Sequence, residues 1–187
     1  LIWSFVVNNY LMGKDPFPFD LLYWNSDSTR MPAKMHSTYL RTMYLENRFC
    51  QPGGINVKDV AINLRDIKTP SYFLSTEEDH IAPWESTYAG AKLFSGPLRF
   101  VLGKSGHIAG VVNPPAAKKY GYYSGPDVGG TAMDWVARAT SHEGSWWPDW
   151  QRWVQQFAGE EVPARQPGDG KLKVVEDAPG SYVRKRL

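Results

Sequence analysis

The sequence predicts an α/β fold. Two short β-prone runs, "SYFLS" (Ser71–Ser75) and "LRFVL" (Leu98–Leu102), flank a helical pattern that opens at Pro83. Each run ends in a polar loop, "TEEDH" after the first and "GKSGH" after the second. Strand, loop, helix, strand, loop is the order that a sheet covered by helices produces. No repeat of fixed period competes with this reading.

Taken from the start, "IWSFVVNNYLMG" places Trp3, Val6, Val7, Tyr10 and Leu11 at three- and four-residue steps, which predicts an amphipathic helix ending near Gly13. Pro16 and Pro18 break it, because proline cannot donate to a helical ladder. "DLLYWN" predicts a helical turn from Asp20. A longer helix is expected after Pro32, with Met35, Tyr39, Met43 and Tyr44 near one face. "GINVKDVAINL" alternates about Lys58-Asp59 and predicts a small hairpin.

After "SYFLS", Pro83 is placed as the first helical residue, and Trp84, Tyr88 and Ala91 continue at helical spacing until "SGP". Two strands are too few for a complete sheet, and the remainder is expected upstream. "KKYGYYSGPDVGGT" reads as loop. "SWWPDWQRWVQQFAG" reads as a helix with Pro148 near its start and a core stripe of Trp150, Trp153, Val154 and Phe157. The Pro- and Gly-rich tail after Gly159 is expected to wrap the surface.

Composition narrows the functional classes. At 187 residues, 42% hydrophobic and 21% charged, the chain can build one real core. Lys plus Arg (21) against Asp plus Glu (19) leaves +2, so no electrostatic footprint for nucleic acid exists. A single cysteine, Cys50, excludes an internal disulfide framework and fits a reducing compartment. No apolar run reaches the length of a membrane span. Because the sequence opens on Leu1 inside a helical pattern, the chain reads as the C-terminal portion of a longer protein.

Chemistry concentrates on the two post-strand loops. In open α/β sheets, reactive groups gather at the carboxyl ends of strands. Asp79 follows the first run and His107 the second, so neighbouring strands would bring the two together. An acid loop followed by a histidine loop is the later part of the nucleophile–acid–histidine order of α/β-hydrolases. Imidazole titrates near neutral pH and can deprotonate a hydroxyl or thiol, while a carboxylate fixes its tautomer. The bland alternative is that Asp79 or Glu78 caps the helix at Pro83.

Other candidates are weaker. Glu77 and Glu78 read as solvated, and His80 either lines the site or makes an ordinary hydrogen bond. His36 and His142 lack a partner at ligand spacing, and neither H-E-x-x-H nor C-x-x-C occurs, which argues against a metal site. Gly53-Gly54 and Gly129-Gly130 read as turns and not as phosphate loops. No G-x-S-x-G or G-x-C-x-G elbow is present. Cys50, in "ENRFCQPGG", reads as a half-buried thiol at a helix end, so the nucleophile is expected upstream.

Six segments carry a resemblance: "PFDLLYWNSDSTRMP", "YLENRF", "EEDHIAPW", "PLRFVLGKSGHIAGVVNPP", "EGSWWPDW" and "APGSYV". Together, in this order, they resemble the C-terminal part of class I polyhydroxyalkanoate synthases, with weakest coverage over residues 116–139 and 158–173. The resemblance implies an α/β-hydrolase core preceded by part of a cap (lid), with residues 1–66 in the cap and 67–187 in the core. It implies polymerisation of (R)-3-hydroxyacyl-CoA, typically 3-hydroxybutyryl-CoA, with release of CoA and no cofactor or metal. The family's nucleophile is a cysteine in a G-x-C-x-G-G box, which this chain lacks. Asp79 and His107 match its catalytic aspartate and histidine, with Asp79 either orienting His107 or activating the substrate 3-hydroxyl. Trp24 matches a cap tryptophan, and Ser37 stands where some relatives carry a cap cysteine. A homodimer in the cytoplasm, at the surface of polyester granules, is implied as well.

Two other readings compete. A serine in the upstream elbow would make the protein an esterase, lipase or polyester depolymerase. Alternatively, the aromatic cap and the basic end "VRKRL" would make it a non-catalytic piece that binds a granule or a partner.

Overall fold

The computed structural model describes residues 2–16 and 29–185. Trp24, the predicted turn at Asp20 and the last two residues of "VRKRL" lie outside the described residues. The chain divides into two compact units, one of Leu1–Pro32 with Val162–Leu187 and one of Ala33–Glu161. In the first, α1 (Ile2–Phe5) runs into a π-helical turn, Val6–Leu11. Gly13 follows at a φ of 62°, the left-handed conformation that glycine adopts cheaply beyond a helix end. The tail of this unit has a single 3-10 turn among its described residues, Tyr182–Arg184.

The second unit carries the sheet. Its first helix, α2 (Ala33–Tyr39), also closes in a π-turn, Leu40–Leu45. The wider turn brings Tyr39 and Tyr44, five positions apart, into edge contact at 5.4 Å. The helix is present as expected, but none of its residues is buried. The hairpin follows, β1 (Asn56–Val57) and β2 (Val60–Ala61), paired antiparallel with Val57 opposite Val60. Lys58 and Asp59 both take positive φ, 46° and 45°, as a two-residue turn that matches strand twist requires.

The main sheet has four strands in the order β3-β4-β5-β6. They are β3 (Ser71–Thr76), β4 (Leu98–Gly103), β5 (Gly121–Ser124) and β6 (Thr140–Glu143). Between β3 and β4 lies α3 (Trp84–Ala91), and α4 (Ala109–Val112) follows β4. The helix α5 (Ala132–Arg138) joins β5 to β6, and α6 (Trp147–Gln155) closes the unit. β3 and β4 are parallel, whereas β4–β5 and β5–β6 are antiparallel. The sheet is therefore mixed.

Side chains alternate across the sheet, and each face has its own cover. On one face Phe73, Phe100, Leu102 and Tyr123 pack with Trp84, Tyr88 and Ala91 of α3 and Trp135 of α5. Phe100 meets Tyr88 edge-on at 5.1 Å and Trp135 at 5.0 Å, contacts worth about 0.5–1.5 kcal/mol each beyond area burial. On the other face Tyr72, Leu74, Val101 and Tyr122 pack with Trp146 and Trp150. Helices thus lie on both faces of one sheet.

Several expectations need correction. The sheet holds two strands beyond those expected in this chain, β5 and β6, both in its downstream segment. The segment read as loop holds β5, because pairing with β4 and β6 overrides its glycines. Gly129-Gly130 consequently sits between a strand and a helix, although Gly130, at a φ of 70°, still serves as a turn. Pro83 is the N-cap residue and not the first helical one. The α6 stripe is only partly core: Trp150, Trp153 and Val154 are half-buried and Phe157 is exposed. The residue that α6 buries is Asp149, held by Arg99 and Tyr72.

Candidate active site

Parallel pairing decides where the two loops go. Thr76 and Gly103, the last residues of β3 and β4, are register partners, so both chains leave the sheet at one edge. The ladder continues into the loops. Glu77 donates its main-chain N–H to Gly103 O at 2.8 Å, and Glu78 donates to Ser105 O at 3.1 Å. Ser105 holds a φ of 79°, a conformation that costs a non-glycine residue about 1–3 kcal/mol and concentrates at functional sites.

This frame brings Asp79 and His107 together across 28 positions, with His107 Nδ1 2.7 Å from Asp79 Oδ2. The Asp79 side chain is nearly buried, at 8% exposure, and that of His107 is 43% exposed. The other carboxylate oxygen, Oδ1, accepts the main-chain N–H groups of Ile81 and Ala82, each at 2.9 Å. Burial by itself would raise the carboxyl pKa. The hydrogen bonds from Ala82, His107 and Ile81 outweigh it and bring the value down to about 2. Asp79 is therefore a carboxylate at any working pH. It accepts the Nδ1 proton of His107, which leaves the Nε2 lone pair free to act as a base.

The capping alternative does not account for Asp79. No side chain caps α3, and the carboxylate instead closes an Asx-type turn over the residues just after it. Sequence reasoning missed Ile81 and Ala82, whose contribution is their main-chain N–H; the signal was an aspartate two and three positions before them. It also missed Gly110, which packs so closely under the loop that a Cβ there would stand 2.6 Å from Thr76 Cγ2 and 2.7 Å from Lys104 O. Gly110 therefore seats α4, and with it the residue before that helix, on the strand ends.

None of the other candidate side chains hydrogen-bonds to this pair among the described residues. Glu77, Glu78 and His80 are exposed, and His80 makes no side-chain hydrogen bond among the described residues. His142 stacks on Tyr122 and bonds Ser124 Oγ at 2.9 Å. His36 is exposed on α2. Cys50 ends a 3-10 turn, half-buried, with its thiol directed to Asn47 O at 3.0 Å. Among the described residues no cluster of His, Cys, Asp and Glu is arranged to hold a metal ion.

No protein-family model matches the chain. Individual proteins do. It is 55% identical over 186 residues to the poly(3-hydroxyalkanoate) polymerase subunit PhaC of Rhizobium meliloti (strain 1021), covering all of this chain and 30% of that protein. The chain is homologous to poly(3-hydroxyalkanoate) polymerases. A polymerase of that name from Methylorubrum extorquens is 53% identical over 185 residues, 98% of this chain and 30% of that protein. Subunit PhaC of Cupriavidus necator is 45% identical over 186 residues, again 98% of this chain, and 31% of that protein. The polymerase likeness thus extends over the whole chain, both loops included. The chain spans about 30% of the length of these curated relatives.

Proposed function

We propose that the chain is the C-terminal part of an acyltransferase that polymerises (R)-3-hydroxyacyl-CoA into polyhydroxyalkanoate and releases CoA. The observation that carries this reading is the Asp79–His107 pair at the carboxyl edge of two parallel strands, in a chain homologous to named polymerases. In this reading the fold is an α/β-hydrolase core, residues 1–66 belong to the cap, and the nucleophile is a cysteine upstream of the chain.

The chemistry follows from the pair. His107 Nε2 takes the thiol proton as the sulfur attacks the thioester carbonyl, and the imidazolium returns it to the departing CoA sulfur. The acyl group is then held on the cysteine. In the second half-reaction His107 removes the proton of an attacking 3-hydroxyl, and an ester bond forms as the cysteine sulfur leaves. General-base assistance of this kind is worth roughly 10²–10⁴-fold. The near-burial of Asp79, with both oxygens already bonded, supports an orienting role over direct activation of the hydroxyl. His80, exposed beside the pair, is the candidate for contact with the substrate.

No described helix is long and apolar enough to cross a membrane. In this proposal the enzyme is a cytoplasmic homodimer that works at the granule surface. The test is CoA release from (R)-3-hydroxybutyryl-CoA by the full polypeptide carrying this chain. His107→Ala and Asp79→Asn are expected to lose most of it while remaining folded. Folded variants that release CoA at the wild-type rate would remove the assignment.

A further inference from the structure

His107 is followed, after Ile108, by a helix of only four residues, Ala109–Val112. One turn cannot hold itself in water, and its last carbonyls have no partner within the helix. Two of those carbonyls are held from outside. Trp146 Nε1 donates to Val111 O at 2.9 Å, and Trp147 Nε1 donates to Val112 O at 3.3 Å. Trp146 is buried against Val101 and Tyr122 on the sheet, so its indole is a fixed point. Trp147 stacks on it with ring centroids 4.7 Å apart. The two indoles can reach successive carbonyls because Trp146 is the N-cap of α6 and Trp147 its first residue.

The opposite end of α4 is tied to the catalytic loop. Gly110 donates to Gly106 O at 3.0 Å, immediately before His107, and Val112 donates to Ile108 O at 2.9 Å. His107 is therefore bracketed by a turn whose far end hangs on two tryptophans. Asp79 alone does not settle the imidazole, since it grips one nitrogen of a ring that is 43% exposed.

We propose that Trp146 and Trp147 are positioning residues for His107, acting through their indole N–H bonds to the carbonyl end of α4. The proposal rests on His107 being the general base. Its consequence is kinetic: loosening α4 should lower kcat while leaving KM nearly unchanged, because the substrate still binds but Nε2 is less often aligned.

The test uses Trp146→Phe and Trp147→Phe in the full polypeptide; both keep an aromatic ring and delete the N–H. Amide exchange of residues 110–113 is expected to speed up about fivefold per bond lost, with the amides of β3 and β4 unchanged. The ¹⁵N ring signals of His107 should shift, and kcat should fall about fivefold with KM within twofold. If Trp146→Phe does not fold, the half-exposed Trp147→Phe carries the same test. Unchanged exchange at 110–113, or faster exchange with unchanged His107 signals and kcat, overturns the proposal. Full turnover by His107→Ala would instead overturn the general-base reading, so the two failures are distinct.

Discussion

Glu77 and Gly103 are joined by a main-chain hydrogen bond of 2.8 Å, one residue beyond the last register pair of β3 and β4. That bond locks the two loops together at their roots. Asp79 is two residues farther along one loop and His107 four along the other, and their side chains close the gap at 2.7 Å. The pair is thus a product of strand register, and it stands or falls with whatever keeps the loop roots aligned.

The first prediction concerns the Asp79 titration. Its folded pKa, about 2, lies below the ordinary aspartate value of 3.8, so the charged form is favoured in the folded state. The resulting stabilisation is fully present above pH 4 and is lost as pH falls toward 2. Asp79 should therefore contribute no acid limb to activity near neutral pH. Carboxyl ¹³C titration of Asp79 should give a midpoint well under 3.8; a midpoint at or above that value would contradict the hydrogen-bond pattern.

Gly110 supplies the second. Alanine there would press against Thr76 Cγ2 and the Lys104 carbonyl at once, and only the first belongs to a side chain. Gly110→Ala is expected to destabilise by about 1–3 kcal/mol in urea melts, as overpacking does. Adding Thr76→Ser removes Cγ2 and should recover part of the loss, since the backbone contact remains. Independent, additive effects of the two changes would argue against the close approach.

How much of this was legible beforehand depends on how local the signal was. β3, β4 and the helix between them were readable because apolar runs with flanking turn residues need no distant partner to be recognised. The hairpin was readable at Lys58-Asp59 for the same reason. β5 was not, because Tyr122 and Tyr123 lie between Gly121 and Gly125, and their strand exists only through pairing on both sides. A local clue to α5 was nonetheless present: Thr131 and Asp134 form a capping box, three residues apart, before an apolar helix. The loops of Asp79 and His107 could be placed from strand order, but the Asx turn and the close seat of Gly110 depend on tertiary approach.

The hairpin gives the third prediction. Lys58 and Asp59 sit at φ values of 46° and 45°, where side chains with a Cβ are strained by roughly 1 kcal/mol and Asn-Gly is at ease. The double change Lys58→Asn, Asp59→Gly should slow amide exchange at Ile62, whose N–H bonds Ile55 O at 2.9 Å, by about fivefold. Faster exchange would mean that the turn is not of this type.

The fourth turns on Asp149, the residue that α6 buries. Arg99 grips it with two bonds, Nη2 to Oδ1 at 2.5 Å and Nε to Oδ2 at 2.8 Å, and the Tyr72 hydroxyl donates to Oδ2 at 3.0 Å. Burial pushes the Asp149 pKa up, but the Arg99 hydrogen bonds and charge together with the Tyr72 hydroxyl bring it below the ordinary carboxylate value. Arg99→Met removes the main cation and leaves a nearly buried carboxylate, a loss of about 3 kcal/mol at neutral pH. In the variant Asp149 should titrate higher, so the deficit should begin to shrink above pH 4 and go on shrinking as pH falls and the carboxylate is neutralised. Pairing Arg99→Met with Asp149→Leu should cost less than Arg99→Met alone, because no buried charge is left behind. Equal losses for the single and double variants, or a deficit independent of pH, would show that packing of the arginine stem and not the ion pair anchors α6 to the sheet.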